Sequence, residues 1–182
     1  VRRSVLMDAK ADLLVFGKRA GEYAAEFARK GAQPKVDEGA VDRALTASLA
    51  PFERGSGGEN PYKVQQDLQD AMQALVGIVR NESEMQDAVR QLAGFNERAA
   101  RAGVEGHREY NSGWHTCIDL RNLLDVSEAI ARSAIERKES RGGHFREDYP
   151  EKVAEFGTFN IGARRQPDGS MQVARVPLKD IP

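Results

Sequence analysis

Cys117 and His115 are the residue types that form a nucleophile and its base, and they stand two positions apart. A thiolate attacks when a neighbouring base or cation lowers its pKa. On a helix, however, residues two apart point to different faces, so no nucleophilic pair is read here. His107, His115 and His144 lack metal-ligand spacing, and Cys117 has no second cysteine to pair with. No catalytic residue and no metal ligand is therefore assigned. The run Arg54-Gly55-Ser56-Gly57-Gly58 precedes a helix, as phosphate cradles do. It lacks a preceding strand and the Lys-Ser/Thr of a P-loop, and it does not match the dinucleotide fingerprint. It is read as a flexible connection between helices. Asp125 and Glu128 sit four residues from Arg121 and Arg132 respectively, so solvated ion pairs are expected rather than an acid–base dyad. Trp114 beside Gly113 is read as a core or lid aromatic rather than a stacking platform.

One segment resists that kind of reading. Residues 137–150 include Arg137, Glu139, Ser140, Arg141, His144, Arg146 and Asp148, all of which make directional hydrogen bonds. Gly142 and Gly143 permit close backbone approach. The acidic neighbours Glu139, Glu147 and Asp148 argue against a nucleic-acid site. The planar guanidiniums of Arg141 and Arg146 suit bidentate contacts across an interface, and His144 both donates and accepts. Glu139, Ser140, Arg141, His144 and Arg146 are accordingly assigned as an interdomain docking set. Without its partner such a loop should be solvated and mobile, so Arg141→Ala should cost only about 0.5 kcal/mol or less.

The elements that carry these residues read as helices. From Asp12 to Lys30, Leu13, Phe16, Ala20, Tyr23 and Phe27 recur at helical spacing, with Gly31 as a C-cap. A second helix is predicted over about residues 36–52, with Val41, Leu45 and Leu49 on one side. Asn60 and Pro61 start a third, carrying Val64, Leu68, Met72, Leu75 and Val79. Asn81 and Glu84 resemble a capping box opening a fourth helix, with Met85, Val89, Leu92 and Phe95, that ends near Gly103. The last covers roughly residues 115–138 with Leu120, Leu123, Leu124, Ile130 and Ile135, and its broad apolar girth predicts the deepest burial. Past Pro150, residues 158–165 and 170–176 flank the turn Gln166-Pro167-Asp168-Gly169. The fold expected is mainly α: an antiparallel bundle of three to five helices with a short β-hairpin or extended tail.

The 182 residues, 40% hydrophobic and 30% charged, suffice for one domain with a core. The formal charge of −1 gives no basic excess, so no nucleic-acid partner is expected. The longest run of large apolar residues, Leu13 to Phe16, is far too short for direct membrane insertion, and no signal peptide is readable.

Residues 137–150 resemble a signature near the end of succinate dehydrogenase and fumarate reductase flavoprotein subunits, close to R-x-E-S-R-G-x-H-x-R-x-D-Y-P. Arg137, Glu139, Ser140, Arg141, Gly142, His144, Arg146, Asp148, Tyr149 and Pro150 match it. Three further stretches match in order. Residues 12–17 with Ala20-Gly21 resemble the helix after the family's substrate and flavin segment. Met72 with Val76-Gly77-Ile78-Val79-Arg80 resembles its M-x3-V-G-I-x-R helix. Tyr110-Asn111, Trp114 and residues 119–124 resemble the approach to its last bundle helix.

The resemblance implies a domain organisation: an atypical start over 1–11, a helical carboxy-terminal domain over 12–150, and a tail over 151–182. It implies FAD in the intact subunit, which interconverts succinate and fumarate, and none in this piece. It implies as partners the upstream FAD-binding and capping domains and an iron–sulfur subunit. The place implied is cytoplasmic, on the inner face of the plasma membrane through partner subunits. The family's flavin-binding and proton-transfer residues lie upstream of the matched region, so no cofactor-binding residue is assigned and the chain alone is expected to be inactive. One departure concerns the start: the family reads N-R-L-G-x-N-S-L-x where this chain has residues 3–11, with Ser4 at the arginine position. Alternatives are the end of an L-aspartate oxidase, which also carries E-S-R-G-x-H, and a stand-alone helical interaction module.

Overall fold

A computed structural model of the chain describes residues 5–31 and 35–178, with residues 5–16 described by backbone alone. These residues fall into two compact units divided between Arg43 and Ala44. In the first unit α1 spans Val5–Lys30, beginning earlier than its apolar pattern indicates. The side chains of Leu13 and Phe16 and the atypical residues 3 and 4 lie outside the described set. Tyr23 and Phe27 are exposed rather than packed, while Glu26 and Lys30 pair at 2.5 Å along the helix.

Helix α2, Glu38–Arg54, crosses from the first unit into the second. Proline has no N–H and its ring crowds the carbonyl four residues back, yet Pro51 lies inside this helix. It is buried, and its own carbonyl accepts from Val104 N at 3.0 Å. Of the apolar side expected here, Leu49 is half-buried and Val41 and Leu45 are exposed.

The second unit is built on α3 (Pro61–Leu75), α4 (Glu82–Arg101) and α5 (Ser112–Glu136). Each starts on an asparagine whose side-chain oxygen accepts from the first turn. Asn60 takes Tyr62 N at 3.0 Å, Asn81 takes Glu84 N at 3.0 Å, and Asn111 takes Trp114 N at 3.0 Å. The third cap sets α5 three residues earlier than the apolar periodicity does. The three helices bury Val64, Leu68, Leu92, Phe95, Ala102, Leu120 and Leu124 in one core. A smaller cluster of Val76, Ala88 and Ala131 continues it. Helix α5 supplies much of this core, but Val126 and Ile130 remain exposed. Trp114 takes the core-edge role: its ring lies 5.5 Å from Phe52 and its Nε1–H donates to Ser48 O at 2.7 Å.

The helix expected to run to Val79 stops at Leu75. Gly77 and the β-branched Val76, Ile78 and Val79 favour extension over a further helical turn. Val79–Arg80 becomes β1, paired in parallel with β2, Phe145–Arg146. Val79 stands opposite Phe145 and Arg80 opposite Arg146.

The glycine loop after α2 is pinned rather than flexible. Glu59 N donates to Arg101 O at 2.9 Å, and Gly103 N to Glu59 O at 3.0 Å. The two backbones pass so closely that a Cβ on Gly58 would stand 2.5 Å from Gly103 N. Arg98 ties the junction to α3 through Glu59 at 2.7 Å and Asp67 at 2.9 Å.

Strands β3 (Phe159–Arg165) and β4 (Met171–Pro177) form the expected antiparallel hairpin. Gly169 closes its turn with φ +84°, a conformation that glycine adopts without strain. Arg165 reaches Asp125 and Arg175 reaches Glu136, which fixes the hairpin on α5. Asp125 thus pairs across to the hairpin rather than with Arg121, while Glu128 bonds Arg132 at 2.8 Å as its spacing indicates.

Candidate functional site

At the end of α5 the chain enters the segment that its composition singled out. Ser140 N donates to Glu151 O at 3.0 Å. Its hydroxyl accepts from Arg146 N and donates to Tyr149 O, both at 2.9 Å. Arg141 and His144 exchange backbone hydrogen bonds across Gly142-Gly143, and Gly142 takes φ +59°. The glycines stand at an exposed tip with open space where side chains would be.

Two ion clusters hold this frame, and neither matches the solvated loop that the sequence suggests. Glu139 is fully buried. Its Oε1 accepts from Arg137 Nη1 at 2.6 Å and Arg141 Nε at 2.7 Å. Its Oε2 accepts from Arg141 Nη2 at 3.0 Å and Val153 N at 2.9 Å. The Arg141 fork chiefly holds this carboxyl down at about 2, helped by Val153 N–H and Arg137 against the opposing effect of burial.

Arg146 is also fully buried, and all five of its N–H donors have acceptors. Nε and Nη2 bind the two oxygens of Asp148, each at 2.6 Å, and Nη2 also reaches Glu82 at 3.2 Å. Nη1 donates to Ala134 O at 3.0 Å and Ile135 O at 3.3 Å. The Tyr149 ring covers the guanidinium at 4.9 Å. Arg146 in turn holds Asp148 down at about 2.

His144 links the loop to β1. Its Nε2 lies 2.9 Å from Arg137 O and its Nδ1 lies 2.8 Å from Arg80 Nη1. A carbonyl and a guanidinium as neighbours fix the neutral tautomer with hydrogen on Nε2. Burial, followed by the charges of Arg80, Arg146 and Arg137, lowers its pKa against the bond to Arg137 O.

The structure therefore brings Glu139, Ser140, Arg141, His144 and Arg146 into one frame. Arg80 and Glu82 complete it, and composition did not single them out. The only hint was that Arg80 ends the Val76-to-Arg80 motif, since no local pattern reveals a bond between positions 64 residues apart. Other candidates stay outside the frame. Cys117 borders an apolar cleft of about 560 Å³ between α2, α4 and α5, together with Ile118 and Arg121. Burial pushes its thiol pKa up, away from the reactive thiolate.

The fumarate reductase flavoprotein C-term family matches residues 65–179, well over half of the chain and all of this frame. The chain belongs to that family. A fumarate reductase flavoprotein subunit of Mycobacterium tuberculosis is 33% identical over 174 residues, which is 92% of this chain and 30% of the relative. A succinate dehydrogenase flavoprotein subunit of Coxiella burnetii is 34% identical over 142 residues, covering 78% of this chain and 24% of its own length. Among solved structures, the Sdh1 complex of Mycobacterium smegmatis in its apo form superposes with a TM-score of 0.86 at 43% identity. That match covers 96% of this chain and 30% of the other. The chain thus spans about a third or less of the flavoprotein subunits that it matches.

A flavoprotein family implies FAD in the intact protein. A pyrophosphate cradle requires free backbone amides on a glycine turn between a strand and a helix. Among the described residues the glycine-rich loop over 55–58 follows a helix, and the Gly103 backbone fills the space beside Gly58. The described residues form no such cradle.

Proposed function

We propose that this chain is the carboxy-terminal helical domain of an FAD-dependent succinate dehydrogenase or fumarate reductase flavoprotein subunit, and that it serves to dock on and stabilise the flavin-holding part. The reading places succinate–fumarate interconversion, FAD and electron transfer to an iron–sulfur subunit in the longer protein. Such a protein would lie at the inner face of the membrane through its partner subunits. Among the described residues no helix is long and apolar enough to cross a membrane, which fits this placement.

The observation that carries the docking role is the frame itself. Its inner side holds Glu139 and Arg146 in satisfied ion pairs, while its outer side presents Gly142, Gly143, Ile78, Val79 and Phe145 to solvent. A surface that is rigid beneath and apolar on top is arranged to be covered. Glu139 and Arg146 take part by holding the frame from inside, and Ser140, Arg141 and His144 by shaping the tip. The test compares hydrogen exchange in the 182-residue chain and in a full-length subunit carrying it. Amides 142–146 should be protected further in the full-length protein. Equal exchange in both would remove the docking role, and a full-length subunit that lacks FAD and succinate–dye reductase activity would remove the enzyme reading.

A further inference from the structure

The network contains one cation without an anion. Arg137 and Arg141 share Glu139, Arg146 has Asp148 and Glu82, and Lys138 reaches Glu82 at 3.7 Å. Arg80 meets no carboxylate among the described residues. Its Nε donates to Gly77 O and its Nη1 to His144 Nδ1, both neutral acceptors, and Nη2 has no partner there. It is half-buried, and the charge that acts on it comes from another cation, Arg146. Removing a guanidinium from water without an opposite charge is unfavourable, and an arriving anion would relieve it.

Arg80 sits in a ladder that also carries exposed apolar residues. Ile78, Val79 and Phe145 are 69%, 54% and 41% exposed, and the pairing of Val79 with Phe145 joins them into one patch. Successive strand residues point to opposite faces, so Val79 and Phe145 share the outer face of the ladder while Arg80 shares its face with Arg146. We propose that Arg80 is the anchor that receives a carboxylate side chain from the flavin-holding part of the same subunit. Two observations choose this occupant. The matched relatives are more than three times the length of the stretch they share with this chain, so most of such a subunit lies outside it. Arg80 supplies an uncompensated positive charge with a free guanidinium edge, and a carboxylate is its geometric complement.

This inference rests on the docking reading and is tested so that the two fail separately. Hydrogen exchange at residues 78–80 and 142–146 is measured in the full-length subunit and in the 182-residue chain, for wild type and for Arg80→Gln, Arg80→Lys and Arg80→Glu. In wild type these amides should exchange more slowly in the full-length protein. Arg80→Gln should remove about tenfold of that extra protection, beyond its effect in the chain alone. Arg80→Lys should keep part of it, and Arg80→Glu should lose more than Arg80→Gln because it repels a carboxylate. No extra protection in wild type would sink the docking reading. Extra protection that Arg80→Gln leaves intact, or equal losses for Gln and Glu, would leave docking standing and overturn the Arg80 anchor.

Discussion

Arg146 and Asp148, two residues apart and joined by a bidentate ion pair, close the ends of two different helices. Arg146 takes the carbonyls of Ala134 and Ile135 at the C-terminal end of α5. Asp148 accepts the N–H of Glu82 at 3.1 Å, at the start of α4. Each charge sits at the helix end whose dipole it complements, so a single pair satisfies orphan groups of both helices.

Arg146→Ala should destabilise the chain by about 3–5 kcal/mol, the usual cost of removing one partner from a buried ion pair. Arg146→Lys should recover only part of this, because three donors replace five. Urea unfolding followed by circular dichroism measures both. A loss below about 1 kcal/mol for the alanine variant would contradict the capping role.

Arg141→Ala should cost about 1–3 kcal/mol, since it deprives a buried carboxylate of its bidentate partner. That exceeds what a solvated loop would show. Glu139→Ala should cost a similar amount by orphaning Val153 N–H and two guanidiniums. A double-mutant cycle should give a coupling of about 1 kcal/mol or more between the pair. Additive losses would separate the two residues.

Acid should unfold the chain in two stages. His144, Glu139 and Asp148 all have folded pKa values below their ordinary 6.5, 4.5 and 3.8. The unfolded chain therefore binds more protons in each window, and stability rises with pH there. The His144 contribution is present above pH 6.5 and is lost as pH falls through its lowered folded pKa. The carboxylate contributions go from about pH 4.5 down towards 2. Melting scans from pH 8 to pH 2 should show both stages, and His144→Gln should flatten only the first. A His144→Gln profile identical to wild type would remove the histidine from this account.

Gly58→Ala should destabilise by about 1–3 kcal/mol, because the added methyl overpacks the Gly103 backbone. Gly57→Ala, one residue earlier, has open space at its Cβ and should fall within about 0.5 kcal/mol of wild type. Thermal melts of the two variants give a direct comparison, and equal effects would mean that the loop is as loose as its glycine content suggests.

Much of this architecture is legible in the sequence because its signals are local. Asn60-Pro61 and Asn81 mark helix starts by chemistry that acts over three residues, and Gln166 to Gly169 marks a turn in the same way. Asn111 is an equally local cap, but it precedes the apolar periodicity, which points to His115 instead. The end of α3 escaped for a different reason: Val79 fits the apolar rhythm, and only pairing with Phe145 draws it out of the helix. The candidate frame was half legible. Its residue types showed that residues 137–150 form directional bonds. Whether those bonds point inward or outward depends on Glu82, Arg80 and the ends of α4 and α5, which no window of adjacent residues contains.

The parallel pairing of Val79 with Phe145 has a consequence for how the chain folds. It spans α4, α5 and the loop between them, and the Arg80–His144 bond closes over 64 residues of sequence. Ordering so long a loop is entropically unfavourable until the enclosed helices have docked, so the pairing should form after the barrier is crossed. Substitutions at His144 or Arg146 should then accelerate unfolding and leave the refolding rate nearly unchanged, whereas Leu92→Ala or Leu120→Ala should slow refolding. Stopped-flow chevrons distinguish the two, and a refolding limb slowed by Arg146→Ala would move this pairing into the nucleus.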